Sequence, residues 1–172
     1  QTGLKKYPQS PSANDLKEQA AEVLTPRLMV EIPFAYPAKE VDLKVKYRNL
    51  TGLTVELYRM NLPVTSNILE REITASTVSR YGKLVGTRHY QLAATPDYME
   101  TDTLLRYKFP TEGIYILKSI PDGHRKDTAY GKAYVSSLQA ISLGLPGGKQ
   151  EINIIDRLTG HPVAGTEVAY YR

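Results

Sequence analysis

Val41-Asp-Leu-Lys-Val-Lys-Tyr-Arg48, then Asn49-Leu-Thr-Gly52, then Leu53-Thr-Val-Glu-Leu-Tyr-Arg-Met60 is the stretch that decides the fold. Its first segment alternates apolar and polar residues without a break. In an extended chain that puts Val41, Leu43, Val45 and Tyr47 on one side and Asp42, Lys44, Lys46 and Arg48 on the other. Leu53, Val55 and Leu57 repeat the two-residue period, and the residues between the segments have turn composition. The stretch predicts an antiparallel hairpin with one buried and one wet face.

Similar texture extends on both sides. Leu28 to Phe34 reads as a strand confined to an edge by Pro33. Strands are also predicted at Lys83 to Ala93, Glu100 to Phe109, Gly113 to Ile120 and Lys132 to Leu138, separated by Pro96-Asp97, Pro110 to Gly113 and Pro121 to His124. The polar stretch Asn61 to Arg80 reads as a loop, with a short helix as an option over Asn67 to Ile73. Upstream, Ser12 to Leu24 predicts a helix capped by Asn14 or Asp15, with Leu16, Ala20, Val23 and Leu24 on one face and Thr25-Pro26 as its stop. Strand after strand without an obligate helix between them argues an all-β fold, an antiparallel Ig-like sandwich.

Past the sandwich, Leu138 to Leu145 is apolar enough to leave it and start something new, with Pro146-Gly-Gly148 as the joint. Ile152 and Ile154 alternate, Asp156 to Pro162 has turn residues, and Val163 and Val168 to Tyr170 resume the alternation, predicting a closing hairpin. A lone hairpin is marginal in water. The expected organisation is a helical leader over 1–26, a sandwich over 27–138 and the first strands of a second, partial β domain over 139–172. The closing hairpin is expected to pack on the sandwich, to pair with another copy of the chain, or to be poorly ordered.

Composition narrows the function. The chain has 172 residues, 41% apolar and 23% charged, as in globular domains. It has no cysteine, which removes disulfides, thiolate nucleophiles and cysteine-based metal sites. The 22 basic and 18 acidic residues are interspersed, without the basic block that nucleic-acid binding needs. No apolar run approaches a membrane span, and the start Gln1-Thr-Gly-Leu-Lys-Lys6 lacks a signal-peptide core, so an export signal would lie outside these residues. Thirteen tyrosines against two phenylalanines and no tryptophan suit half-buried sheet positions better than a carbohydrate platform.

No catalytic constellation emerges. His89 sits within a strand, and His124 and His161 in turns, none with a second histidine at ligand spacing. Glu70 with Glu72, and Glu100 with Asp102, read as solvated faces. Gly52, Gly82, Gly86, Gly113, Gly123 and Gly131 read as turn or strand-end residues; Gly144, Gly147 and Gly148 form no phosphate-binding pattern. Ser136-Ser137 lacks the glycine-flanked nucleophile elbow. No catalytic, metal or cofactor residue is expected. Lys44, Lys46 and Arg48 read as solubility and edge-protecting charges. Possible modification sites are Asn49 in an Asn-Leu-Thr sequon, and Thr103 and Thr128 in Asp-Thr-apolar sequences.

Val45 to Asn49, Val55 to Arg59, Tyr107 to Ile116, Tyr134 to Leu138 and Asp156-Arg-Leu-Thr-Gly-His-Pro-Val-Ala-Gly165 together resemble, in their order, the N-terminal part of bacterial alpha-2-macroglobulin-like proteins of the Bacteroides type. The resemblance implies a macroglobulin-type sandwich in an exported protease inhibitor of the periplasm or cell surface. The family carries a bait region and, in many members, a Cys–Gln thioester; the latter needs a cysteine this chain lacks. It implies a non-catalytic structural role here, with neighbouring domains as partners and target proteases engaged by the parent. The alternatives are an Ig-like adhesion or glycan-binding module using tyrosines such as Tyr58 or Tyr90, and an enzyme's accessory domain.

Overall fold

A computed structural model describes residues 12–62 and 68–168. Helix α1 (Ala13–Leu24) leads into β1 (Arg27–Glu31), β2 (Glu40–Arg48) and β3 (Gly52–Met60). Helix α2 (Ala75–Tyr81) is followed by β4 (Gly82–Gln91), β5 (Thr101–Lys108), β6 (Gly113–Pro121) and β7 (Ala129–Val135). Two antiparallel sheets result, β1-β2-β5 and β4-β3-β6-β7, and a separate ribbon of β8 (Leu138–Leu145) and β9 (Lys149–Asp156) follows. This is the expected antiparallel sandwich with a short N-terminal helix.

The alternating pattern explains the core. Leu43, Val45 and Tyr47 of β2 face Leu53, Val55 and Leu57 of β3, all at most 2% exposed. Tyr115 and Leu117 of β6 complete the layer, with the rings of Tyr107, Phe109 and Tyr115 tilted at centroid distances of 5.4 and 5.5 Å. The buried tyrosine hydroxyls find backbone partners: Tyr47 donates to the Ala93 carbonyl at 2.9 Å and Tyr115 to that of Thr111 at 3.0 Å.

The predicted β2–β3 hairpin does not form. The two strands lie in opposite sheets, because the connection arches over the core instead of reversing beside it. Asn49 is left-handed (φ 56°), its backbone N–H donates to Thr95 Oγ1 at 3.0 Å, and Leu50 is driven inside. A period of two is satisfied equally by neighbours in one sheet and by strands facing across a core. Consequently β2 is the centre of its sheet, so its lysines guard no edge; Lys46 pairs with Glu100 at 3.0 Å and Lys44 with Glu31 at 3.9 Å.

Other boundaries shift for local reasons. Ser12, not Asn14 or Asp15, is the α1 N-cap residue, without a side-chain capping bond. Leu16, Val23 and Leu24 are nearly half exposed; α1 is tied down by polar contacts, Arg48 Nη2 donating to the Glu22 carbonyl at 2.7 Å and Asn49 Nδ2 to that of Val23 at 2.8 Å. The stretch read as a loop contains a 3-10 turn at Ile68–Glu70 and α2, whose N-cap Thr74 accepts from the Thr77 N–H at 3.3 Å. Gly86 and Gly131 lie within strands rather than at turns. At Gly131 an added Cβ would come 2.5 Å from Ile32 Cδ1, so the glycine lets the chain after β1 close against β7.

The closing segment also pairs differently. β9 folds back on β8 through Gly147 and Gly148, both at positive φ (79° and 75°). With the described residues that follow, it makes the Ile155–Pro162 bridge, an Asp156 N–H bond to the His161 carbonyl at 2.9 Å and a Val163 N–H bond to the Ile154 carbonyl at 2.9 Å. The turn itself follows its composition: Asp156 Oδ1 accepts from the N–H groups of Leu158 and Thr159, and Gly160 takes φ 72°. Tyr170 lies outside the described residues.

Candidate functional site

The residues singled out in the sequence are dispersed. His89 Nε2 meets Asp122 Oδ2 at 2.8 Å across the end of β3, and Gly52 lies beneath, where a Cβ would collide with that carboxylate. His124 is 3.9 Å from Asp127, and His161 serves its turn through its backbone. Among the described residues no three metal-ligating side chains converge. Glu100 bridges Lys46 and Arg27, and its hydrogen bond from Lys46 holds the carboxyl below its ordinary value. Asn49 spends its side-chain amide on the Val23 carbonyl, Thr103 is half-buried in β5, and Thr128 Oγ1 donates to the Arg125 carbonyl at 2.7 Å.

Tyr58 and Tyr90 occupy opposite faces of one sheet. Tyr90 packs on the core between the sheets, its hydroxyl donating to the Arg106 carbonyl at 2.9 Å, whereas Tyr58 joins the smaller apolar cluster outside. They cannot form one glycan platform.

Two constructed regions remain. The outer face of the four-stranded sheet carries Glu56, whose Oε2 accepts from Tyr58 Oη and Lys118 Nζ, both at 2.8 Å. The Lys118 hydrogen bond, outweighing burial, holds the Glu56 carboxyl below its ordinary value, and the reciprocal bond raises the Lys118 amine. Beside this triad the sheet, Thr74 and the Arg125–Asp127 3-10 turn enclose a concavity of about 480 Å³. A second lobe of about 420 Å³, lined by Tyr58, Val78 and Leu84, shares Ala75, Lys118 and Tyr130 with the first. Lys118 is the one charge in the apolar run of β6, the only hint of this region in the sequence.

The other region is the root of the ribbon. The Arg157 guanidinium stands over Phe34 at 5.0 Å and Tyr36 at 4.7 Å, and its Nη1 donates to the Ser136 carbonyl at 3.1 Å. Tyr36 Oη donates to the Arg157 carbonyl at 3.2 Å. Glu112 accepts from the Ser137 N–H at 2.9 Å and from its hydroxyl, contacts that hold its carboxyl low. Beyond this clamp, Ile141, Leu143, Leu145 and Ile152 are 39–50% exposed. Among the described residues, the segment after the sandwich thus packs on it at the root.

A helix, a three-plus-four antiparallel sandwich and a clamped ribbon make up a macroglobulin-type β architecture. The fold is similar to native alpha-2-macroglobulin from Escherichia coli in a structure spanning domains MG0-NIE-MG1, with TM-score 0.60 and 15% identity over 80% of this chain and 47% of that one. A second structure of the same protein, spanning NIE-MG1, matches with TM-score 0.55 and 13% identity over 81% of this chain and 74% of that one. The chain spans about half the length of the first of these. At such identities the fold is what is shared. No protein-family model matches the sequence, and no curated protein matches it.

Proposed function

We propose that the chain is a non-catalytic structural module of an exported bacterial alpha-2-macroglobulin-like protease inhibitor, of the Bacteroides type, residing in the periplasm or at the cell surface. The observation that carries this reading is the similarity of fold to the Escherichia coli macroglobulin fragments over four-fifths of the chain. The ordered segments that resemble the family add support. So does the Arg157 clamp, which holds a ribbon with apolar residues on both faces at a defined place: Ala140, Ile152 and Ile154 on one, Ile141, Leu143 and Ile155 on the other. Such a ribbon suits the opening strands of a further domain. In this role the module is scaffold: it positions neighbouring domains, and target proteases are engaged by the parent.

The test is inhibition by the full-length parent. Incubated with proteases of trypsin-like, chymotrypsin-like and elastase-like specificity, it should suppress digestion of a large protein substrate and be cut itself. Full digestion with each protease removes the inhibitor reading and leaves the fold standing.

A further inference from the structure

The described residues roof only half of the outer face of the four-stranded sheet. Ile73 and Val78 pack over Met60 and Ile116, while the part beside the Arg125–Asp127 turn is open. The two lobes described above meet at Lys118 and Tyr130, so they form one groove with chemically different ends. At one end Arg125 and Lys126 are exposed, and neither forms a salt bridge among the described residues. Glu56 already neutralises Lys118, and Asp127 of the turn faces His124. Glu72 is the single carboxylate among the described residues lining that lobe, and although Arg125 also feels the Glu56 charge, the two cations of the turn outweigh it. At the other end, past Lys118, the lining carries no further charge, and Tyr58, Val78 and Leu84 supply apolar surface, Leu84 being about half exposed. Leu84 belongs to β4, an edge strand whose outer side pairs with no other strand among the described residues.

We propose that this groove docks an extended peptide segment, placing a carboxylate at Arg125 and Lys126 and an apolar side chain against Tyr58, Val78 and Leu84. Charge complementarity selects the acidic group, and apolar side chains beside an edge strand favour a peptide over a sugar. The site does not depend on the parent being a protease inhibitor.

The experiment is an amide NMR titration of the chain with a terminally blocked hexapeptide, Asp-Ser-Asp-Ser-Leu-Ser, whose two aspartates and leucine share one side when extended. Saturable shifts are expected at Lys118, Arg125, Lys126, Tyr130 and Leu84, shrinking as salt rises. The asparagine version of the peptide should bind about tenfold more weakly, as should the aspartate peptide to the R125E/K126E variant. Both substituted residues lie on an exposed turn, and an unchanged amide spectrum elsewhere certifies the fold of the variant. No saturable shift, equal affinity for the asparagine peptide, or binding of a galacturonate trimer in place of the peptide would each overturn the proposal.

Discussion

At the scale of single residues, two positions on the outer face of the four-stranded sheet give sharp expectations. Gly82 ends α2 with an ordinary φ of −96°, so its requirement is steric: an added Cβ would lie 2.6 Å from the Val78 carbonyl oxygen and 3.2 Å from Tyr58 Cβ. Gly82→Ala should cost about 2 kcal/mol, read as a lower urea midpoint with unchanged m-value. Glu56 titrates below its ordinary 4.5 because Lys118 hydrogen-bonds its charged form. Its contribution is complete above that value and disappears as pH falls through the lower folded one. Glu56→Gln should therefore cost about 1 kcal/mol at neutral pH and flatten the acid limb of stability, measured by denaturant midpoints from pH 3 to 7. Neither position was legible in the sequence. Gly82 looks like any turn glycine, and Glu56 alternates in β3 like a solvent-facing residue; the partners that give them meaning come from α2 and β6.

Elements were legible to the degree that their pattern is local. Every strand of the sandwich was visible from alternation and turn residues, because burial on one face imposes period two on each strand separately. Their pairing was not, and Asn49 shows why. Its left-handed backbone and its bond to Thr95, 46 residues away, turn a hairpin-like sequence into an arch between sheets. Helix α2 has a faint sequence signature because Ala75-Ser-Thr-Val-Ser-Arg-Tyr81 offers one buried residue, Val78, and a threonine cap as its signals. In β5 the pattern makes a chemical prediction. Tyr107 faces the core, and burial pushes its hydroxyl from the ordinary 10.0 up to about 12. The folded state favours the neutral phenol, so about 2–3 kcal/mol of stability present below pH 10 should be lost as pH rises toward 12. Tyr107→Phe should make the alkaline slope in urea titrations shallower, leaving what Tyr58 and Tyr90, whose hydroxyls burial also raises, contribute.

The molecule as a whole has two poles. α1 is tied to Arg48 and Asn49 at one end of the strands, and the ribbon is clamped at Phe34 and Tyr36 at the other. Arg157→Ala should free the ribbon: hydrogen exchange in β8 and β9 should accelerate at least about tenfold, while the melting temperature of the sandwich shifts by less than about 2 °C. The clamp lay beyond sequence reading because Arg157 is more than a hundred residues from the two rings it covers. The Asp156 turn that presents it was readable from its own residues.

Ala35 and Val135 form a parallel bridge, so the chain runs in the same direction where it enters the sandwich and where it leaves. The leader therefore attaches at one pole and the ribbon at the other, separated by the length of a nine-residue strand, roughly 30 Å. Mechanical tension transmitted between flanking parts of a larger chain would slide the first strand along the last instead of peeling it away. The contacts between them would then share the load simultaneously, as in a joint loaded in shear.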